Sequence, residues 1–496
     1  MADTLSRRAE QLLERFGDRK SLLFEGQWYT SAELSGRAAR AARGLQQLGV
    51  RAGDRVIVCM ANCPEVGLAY QAIWRAGAVP TPVLFLLTEQ ELIHVVQDSG
   101  AVAVITTPEF FGKVQVAAPG LQIIVVGGPG GVPWEQLEAV DELPIVDRDV
   151  NDLAALLYTG GTTGRSKGVA LTHATLDAAG GAGAERNYSP GRNSILLPLP
   201  LAHAYGLLVT VAGLHAREPN TSYLMRWFDP AGAIALIQEH RIKTTALVPS
   251  MIQMLLAQPL EEHDLSCLER VGSGAAPLAA DVAAEFERRV PTAEIREGYG
   301  CTESSALIST QLPDERRLGS VGKPVPGVTV TIELPDGSQA APGEDGEICV
   351  GGETVMQGYW NSPEETAFAL RGGLLHTGDI GHLDEDGWLY VVDRIKDLII
   401  RGGFNVYPRD IEDVLLTHPE VVGAAAVGRP DPKLGEEVVC FVQLSPGATV
   451  TPEELIEFSK QTLGAYKYPR EIRVIDAIPL TSVMKTDRKA LRATLT

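Results

Sequence analysis

The chain has 496 residues, too many for one hydrophobic core, so at least two domains are expected. Apolar residues make up 45% and charged residues 21%, which is ordinary for a globular protein. The formal net charge of −20 argues against nucleic acid or anionic lipid as a bulk partner, although local anion sites stay compatible with it.

The N-terminal segment mixes charged and apolar residues and lacks the apolar core of a signal peptide. No stretch approaches the ~18 uncharged apolar residues that a membrane helix needs. The six cysteines form no CxxC pair, and Cys59 and Cys63, which are four residues apart, have no His or Cys cluster nearby to complete a metal site. The sequence therefore predicts a cytoplasmic protein with reduced thiols. It leaves the oligomeric state open, with a homodimer among the alternatives.

Strand-like runs alternate with helical patterns through most of the chain. The predicted strands are residues 55–60, 102–106, 123–126, 195–199 and 245–248, and the predicted helices are residues 64–76 and 279–290. This alternation is typical of parallel sheets joined by crossover helices, so an α/β fold is expected.

The pattern changes after about residue 325. Residues 328–334 and 347–350 are predicted strands of a small β unit, and WLYVVDR and DLIIRGG are predicted to form a hairpin around residues 394–396. A helix at 411–416, strands at 421–427 and 438–444, and a helix at 452–463 then predict a compact α+β domain. We predict a large N-terminal α/β domain with mixed sheets over residues 1–392 and a small C-terminal domain over 393–496.

A glycine- and threonine-rich segment, YTGGTTGRSKG, occupies residues 158–168. Glycines let backbone N–H groups turn toward an anion, hydroxyls add donors, and Lys167 adds positive charge. The segment is not a Walker A loop, because Ser166 stands where that motif needs glycine. A phosphate-binding loop is therefore predicted, with a Gly/Thr surface turn as the alternative.

Five further motifs follow this segment in a fixed order: GSGAAPL, GYGCTE, HTGDIG, DRIKDLIIRGGFNVYPRDIE and PLTSVMKTDRK. With YTGGTTGRSKG they resemble the signature motifs of the adenylate-forming superfamily, in particular its acyl-CoA synthetases, over nearly the whole chain. The resemblance implies an ATP-dependent carboxylic acid–CoA ligase. Such an enzyme forms acyl-AMP with release of pyrophosphate, then a thioester with coenzyme A and release of AMP. It also implies a mobile C-terminal domain that turns about a hinge at Asp393.

The resemblance makes Lys485 the catalyst of adenylation. A lysine that bridges the carboxylate and the α-phosphate offsets the repulsion between two anions as they react. Glu303 is implied as the Mg²⁺ ligand, since Mg²⁺ takes a carboxylate together with phosphate oxygens and water. Without the resemblance, the alternatives are that Lys485 is a solvated lysine of the C-terminal tail and that Glu303 is a helix-capping or solvated glutamate.

The other implied roles follow the motifs. Tyr299 would stack on adenine, Asp379 would accept hydrogen bonds from the ribose hydroxyls, and Arg394 would contact ribose or phosphate. Gly402 and Gly403 would line the channel for the pantetheine arm, with a simple turn as the alternative. The remaining residues implied in cofactor binding are Thr159, Gly161, Thr162, Thr163, Gly164, Lys167, Gly274, Ala275, Ala276, Gly300, Thr302 and Lys396.

Four residues depart from the family pattern: Gly160, Ser166, Leu480 and Met484. The loss of one hydroxyl at position 160 would cost phosphate binding on the order of 1 kcal/mol. These departures leave a catalytically silent nucleotide-binding module as an alternative.

The segment PLPLAHAYGL aligns with the family's acid pocket and contains no aspartate to hold an amino group, so an α-amino acid is not expected. His203 is the predicted pocket residue, to gate the pocket or contact the acid. A monocarboxylic acid, aromatic or short-to-medium aliphatic, is favoured, unless Arg226 points into the pocket and binds a second carboxylate. AYKYPREI favours CoA as the acceptor, with a free-standing acid:carrier-protein ligase as the alternative.

Overall fold

The computed structural model describes residues 3–159, 166–312, 314–481 and 486–495. By its internal contacts the chain forms two compact units. The first contains residues 1–330 and 350–376, and the second contains residues 331–349 and 377–496. No helix within the described residues has both the length and the apolar character to span a bilayer.

The first unit contains a five-stranded sheet in which every pairing is parallel. Its strands, in spatial order, are Val79–Pro82, Arg55–Cys59, Ala103–Thr106, Gln122–Val125 and Val132–Pro133. Four of them alternate along the chain with helices that cover the sheet, as the sequence pattern predicts for crossover connections.

A nine-stranded sheet forms the larger part of the same unit. In spatial order its strands are Lys323–Pro324, Ser309–Thr310, Glu294–Tyr299, Arg270–Ser273, Thr244–Leu247, Ser194–Leu197, Thr221–Leu224, Lys20–Phe24 and Gln27–Thr30. The six strands from Glu294–Tyr299 to Lys20–Phe24 run parallel, and antiparallel strands close both edges. Buried apolar side chains such as Val271, Ile252 and Phe286 form its core.

A third sheet of the first unit is small and antiparallel. Its order is Gly358–Tyr359, Lys167–Thr172 and Leu153–Thr159. The helices of this unit are Leu5–Phe16, Ser31–Gln47, Pro64–Arg75, Glu89–Ser99, Pro108–Ala117, Trp134–Glu138, His173–Asn187, Ala204–Gly213, Pro230–His240, Pro249–Leu256, Ala280–Arg289 and Pro363–Ala369.

The second unit holds most of a four-stranded sheet in the order Val328–Glu333, Gly346–Gly352, Leu375–Leu383 and Leu389–Arg394. It also holds a five-stranded sheet of Phe404–Val406, Ile399–Arg401, Gly435–Leu444 and Val421–Asp431, with Glu471–Val474 parallel to Gly435–Leu444. Its helices are Pro408–Leu416, Pro452–Lys460 and Arg488–Ala493. The predicted fold class, a large N-terminal α/β domain with a smaller C-terminal α+β domain, is confirmed.

The predicted hairpin around residues 394–396 is wrong. Leu389–Arg394 pairs with Leu375–Leu383, whereas Ile399–Arg401 pairs with Phe404–Val406. A 3-10 turn at Ile395–Asp397 separates the two predicted strands, and the hairpin turn lies instead at Gly402 and Gly403. Both residues have positive φ, 59° and 83°, and a two-residue turn of that kind joins antiparallel strands directly.

Candidate active site

One edge of the nine-stranded sheet gathers most of the predicted site in the first unit. Ser194–Leu197, Thr244–Leu247, Arg270–Ser273 and Glu294–Tyr299 are parallel neighbours, so their carboxyl ends share an edge. Tyr299 ends the last of these strands, and the loops that follow the strands carry His203, the segment 274–276 and the segment 300–303. Ligands of open α/β sheets bind at such an edge.

Two of these loops hold residues in an uncommon backbone conformation. Ala275 has φ 69°, and Ser305 and Ala306 have φ 54° and 66°. The left-handed region is costly for residues with a Cβ, and it is found preferentially at functional sites. Gly274 is buried and Ala276 is half-buried beside Ala275. The strain agrees with a binding role for both loops.

Packing explains Gly300 without any ligand. A Cβ on this residue would lie 2.4 Å from the carbonyl carbon and oxygen of Ala306, closer than atoms can approach. The close approach lets the chain turn back after Tyr299, which ends its strand half-buried. Thr302 and Glu303 then lie in a single 3-10 turn, Thr302–Ser304.

The predicted phosphate loop connects the two strands of a β-hairpin. Leu153–Thr159 and Lys167–Thr172 are antiparallel, and Thr159 lies directly opposite Lys167. The predicted residues Gly161, Thr162, Thr163 and Gly164 fall outside the described residues, as does Gly160. Thr159 and Lys167, the two predicted residues that flank the loop, therefore lie opposite each other at its base.

Lys167 and Glu303, predicted to contact phosphate and metal, are connected through one tyrosine. The Tyr359 hydroxyl donates to Glu303 Oε1 at 2.8 Å, and Lys167 Nζ lies 5.1 Å from the centroid of the Tyr359 ring. Lys167 Nζ also lies 2.9 Å from Glu365 Oε1. Burial and the Glu303 carboxylate raise the pKa of Tyr359, so its hydroxyl remains the donor.

The sequence analysis missed Tyr359 and Glu365. Tyr359 is fixed by the strand Gly358–Tyr359, in which it pairs with Val169, and by its N–H, which donates to Thr366 Oγ1 at 2.8 Å. Glu365 lies on the helix Pro363–Ala369 that follows. A cluster of turn-forming residues, NSP between GYW and EET, is the one sequence signal for this segment.

In the acid-pocket segment, His203 is the N-cap of the helix Ala204–Gly213. Its Nδ1 accepts a hydrogen bond from the Tyr205 N–H at 3.3 Å. The Tyr205 ring lies against the glycines of the neighbouring strand and loop. A Cβ on Gly272 would be 3.4 Å from the Tyr205 hydroxyl oxygen, and a Cβ on Gly274 would be 3.5 Å from the Tyr205 ring. Burial raises the pKa of Tyr205 to about 12, so its phenol is neutral at physiological pH.

Arg226, the residue that kept a dicarboxylic acid open, is engaged elsewhere. Its Nε and Nη2 donate to the two carboxylate oxygens of Glu25 at 2.8 and 3.2 Å. Its guanidinium also lies 5.1 Å from the centroid of the Phe24 ring. Two hydrogen bonds and one cation–π contact thus hold the Arg226 side chain against the hairpin of Lys20–Phe24 and Gln27–Thr30 at the sheet edge.

The second unit brings Asp379 and Arg394 together. They lie opposite each other in the antiparallel pair Leu375–Leu383 and Leu389–Arg394, and Arg394 Nε is 3.0 Å from Asp379 Oδ1. Asp379 is buried, and its N–H donates to Thr377 Oγ1 at 3.1 Å. Lys396 is exposed in the following 3-10 turn.

Asp393, the predicted hinge, lies at the junction of a strand and a helix. Its Oδ1 accepts from the Arg394 N–H at 2.7 Å and its Oδ2 from the Arg409 N–H at 3.1 Å. Burial raises the pKa of this carboxyl. The Asp393 carboxylate thus binds two backbone N–H groups, one at the end of its own strand and one in the helix Pro408–Leu416. A domain boundary at this residue stays a prediction.

Turn geometry alone accounts for Gly402 and Gly403. Both lie at positive φ in an exposed turn, and a Cβ on Gly403 would meet nothing within 4 Å. The close approach of a pantetheine arm is therefore not needed to explain either glycine, and that role also stays a prediction.

Lys485 and Met484 fall outside the described residues. An isolated antiparallel bridge between Leu480 and Thr486 brackets that segment. Just beyond it, Arg488 Nη2 donates to both carboxylate oxygens of Glu412, at 2.6 and 2.8 Å, and the Glu412 side chain is only 14% exposed. Two of the motifs quoted above, which contain Glu412 and Arg488, are thus joined by an ion pair inside the second unit.

Comparison with known families agrees with this arrangement. The family model described as AMP-binding enzyme matches residues 9–360, and the one described as AMP-binding enzyme C-terminal domain matches residues 410–485. The chain belongs to the AMP-binding enzyme family.

Individual relatives indicate the reaction class within this family. The chain is 37% identical over 458 residues to a feruloyl-CoA synthase of an Amycolatopsis species, covering 91% of each chain. It is 35% identical over 489 residues to 4-coumarate–CoA ligase 3 of Oryza sativa subsp. japonica, covering 95% of this chain and 88% of that one. The crystal structure of ATP-bound MatB from Rhodopseudomonas palustris matches with a TM-score of 0.90 and 30% identity, covering 100% of this chain and 99% of that one.

The predicted membership of the adenylate-forming enzymes is therefore confirmed. In activity the protein is an acid–CoA ligase, with a carboxylic acid, ATP and CoA as its substrates.

Proposed function

We propose that this ligase activates an aromatic monocarboxylic acid in two steps, with Mg²⁺ bound to ATP at Glu303. In the first step a carboxylate oxygen attacks the α-phosphorus and pyrophosphate leaves. In the second step the CoA sulfur attacks the acyl carbon and AMP leaves. The observation that carries the proposal is the connection of Lys167 and Glu303 through Tyr359.

In the first unit, Lys167 and Thr159 would contact the phosphates at the base of the hairpin loop, together with Gly161, Thr162, Thr163 and Gly164. Tyr299 would stack on adenine beside Gly274, Ala275 and Ala276. Glu303 offers one carboxylate on a well-anchored turn, which fits a cation that also takes phosphate oxygens and water. When bound, Mg²⁺ would neutralise part of the triphosphate charge.

In the second unit, Asp379 and Arg394 would hold the ribose, because a buried carboxylate suits two hydroxyl donors. Lys485 would bridge the attacking carboxylate and the α-phosphate. Gly402 and Gly403 would lie along the pantetheine arm during the second step. These roles require the C-terminal domain to turn about Asp393 between the steps, which we propose on the resemblance alone.

Three observations support an aromatic monocarboxylic acid. Tyr205 presents an aromatic ring beside Gly272 and Gly274, and Arg226 is held by Glu25. Two of the relatives carry the names of feruloyl and coumarate substrates. Hydroxycinnamic and benzoic acids are therefore the first acids to test, followed by short-to-medium aliphatic ones. A cytoplasmic location and a homodimer remain proposals, and CoA is preferred over a carrier protein as acceptor because the relatives' names specify CoA.

The decisive experiment is acid-dependent ATP–pyrophosphate exchange, followed by CoA-dependent AMP release. We expect exchange with at least one aromatic acid and none after EDTA treatment. In Lys485→Ala exchange should fall by at least about a hundredfold, as expected for removal of a positioned charge, while thioester formation from supplied acyl-AMP is much less affected.

Lys489→Ala, at an exposed lysine of the helix Arg488–Ala493, is the matched control and should behave like the wild type. A wild-type protein without exchange across the whole acid panel, yet able to bind ATP, would instead favour the silent nucleotide-binding module. Equal loss of both half-reactions in Lys485→Ala would contradict the domain rotation.

A further inference from the structure

Tyr359 touches two charged residues from different segments with two different parts of its side chain. Its hydroxyl donates to Glu303 Oε1 at 2.8 Å, and its ring centroid lies 5.1 Å from Lys167 Nζ. Glu303 and Tyr359 are 56 residues apart in the sequence. Lys167 comes from the strand that pairs with Gly358–Tyr359. A single aromatic side chain thus fixes the spacing between a cation and a carboxylate.

The tyrosine is itself held firmly. Its backbone pairs with Val169, its N–H donates to Thr366 Oγ1 at 2.8 Å, and the next residue, Trp360, donates its N–H to Gly168 O at 2.7 Å. Hydrogen bonds therefore fix the backbone at Tyr359 and at Trp360, and with it the position from which the Tyr359 side chain projects. A hydroxyl placed in this way can orient a carboxylate at little further cost in conformational entropy.

The backbone of Glu303 is anchored at the same place. Its carbonyl accepts the Met356 N–H at 2.8 Å, from the same segment that carries Tyr359. Because the Tyr359 hydroxyl engages Oε1, rotation of the Glu303 carboxylate is restricted. Such fixation of a ligand by a hydrogen bond from a neighbouring side chain increases metal affinity in proteins.

We propose that Tyr359 is a positioning residue for adenylation: its hydroxyl orients Glu303 toward the Mg²⁺ of ATP, and its ring holds Lys167 toward the phosphates. The proposal rests on the roles proposed above for Glu303 and Lys167. It predicts that the hydroxyl acts only when metal is present, whereas the ring acts with or without metal. A purely structural tyrosine would show no such separation.

Calorimetric titration of ATP without any acid tests the proposal apart from turnover. In Tyr359→Phe, affinity for ATP in excess Mg²⁺ should fall about tenfold, the usual effect of losing a hydrogen bond to a charged group. In EDTA the same variant should bind ATP within about twofold of the wild type, because the ring remains. The Mg²⁺ concentration for half-maximal pyrophosphate exchange should rise about tenfold as well.

Tyr359→Leu removes the ring too, and it should weaken ATP binding about threefold even in EDTA. Tyr188→Phe is the matched control, since the Tyr188 hydroxyl also donates to a glutamate, Glu218, at 3.0 Å. It should change none of these values, and thermal unfolding of all variants without ligand should confirm that they fold.

Two results would overturn the proposal while wild-type exchange is intact. Magnesium-dependent affinity in Tyr359→Phe within twofold of the wild type would reject the role of the hydroxyl. Equal affinities of the Phe and Leu variants in EDTA would reject the role of the ring. A wild-type protein that shows no exchange at all would instead refute the function proposed above.

Discussion

Two ion pairs, one in each unit, have similar geometry and different surroundings. Arg488 and Glu412 are 2.6 Å apart, with side chains only 19% and 14% exposed. Lys167 and Glu365 are 2.9 Å apart, with side chains 26% and 47% exposed. The distances alone would suggest equivalent roles, so the difference in exposure decides what each pair can do.

Exposure sets the cost of breaking a pair. A buried carboxylate that loses its partner keeps its desolvation penalty, and burial raises the pKa of Glu412 even with Arg488 beside it. A half-exposed pair exchanges partners easily, because water replaces the lost contact. We infer that Glu412–Arg488 fastens the second unit internally, whereas Lys167 can leave Glu365 for a phosphate.

The largest effect is expected for Arg488→Met. The change leaves the largely buried Glu412 carboxylate without its guanidinium partner, which should lower the free energy of unfolding by about 3–5 kcal/mol. Urea unfolding followed by circular dichroism measures the loss. A variant within about 1 kcal/mol of the wild type would show that solvent reaches Glu412 and that the pair is not a fastening.

A double variant separates lost charge from lost packing. Arg488→Met with Glu412→Gln removes both charges, and an amide can still accept the Ala426 N–H that now donates to Glu412 Oε1 at 2.8 Å. The double variant should be more stable than Arg488→Met alone. If it is less stable, the aliphatic stem of Arg488 and not its charge is what matters.

A smaller effect, on substrate binding and not on folding, is expected for Glu365→Gln. Because Glu365 competes with the phosphates for Lys167, its loss should lower KM for ATP by up to about fivefold, in line with the worth of about 0.2–1 kcal/mol of a half-exposed pair. The maximal rate should not change. Steady-state pyrophosphate release at varied ATP measures both constants.

Glu364→Gln provides the control, since it removes the same charge from the preceding exposed position of the same helix. It should leave KM within error of the wild type. An increase in KM in Glu365→Gln would reverse the interpretation, because it would mean that Glu365 orients Lys167 for the nucleotide.

Local sequence patterns predicted much of the fold, but they did not predict contacts between segments that are distant in the sequence. The strand Arg55–Cys59 and the helix Ala280–Arg289 agree with their predicted bounds to within a residue. The hairpin predicted around residues 394–396 failed, because strand pairing depends on partners elsewhere in the chain and the two strands join different sheets.

The site shows the same limit. The motifs pointed to Glu303 and Lys167, but the tyrosine between them comes from a segment without a recognisable motif. Glycines in motifs proved ambiguous as well. Gly300 is required by the approach of the Ala306 carbonyl, and Gly403 by its positive φ. A sequence shows that a glycine is present, and the fold shows which of these reasons applies.

The smallest effect on stability is expected at a third ion pair, Arg226–Glu25, whose side chains are 33% and 56% exposed. Arg226→Gln should change the free energy of unfolding by less than about 1 kcal/mol, as is usual for surface pairs.

The same variant tests the acid pocket. If Arg226 stays with Glu25, the ratio of exchange rates for monocarboxylic and dicarboxylic acids should not change. Glu25→Gln is the control, since it frees Arg226 without removing it. A selective loss of dicarboxylic acids in Arg226→Gln alone would mean that the guanidinium leaves Glu25 to bind substrate, and the preference for monocarboxylic acids would then be wrong.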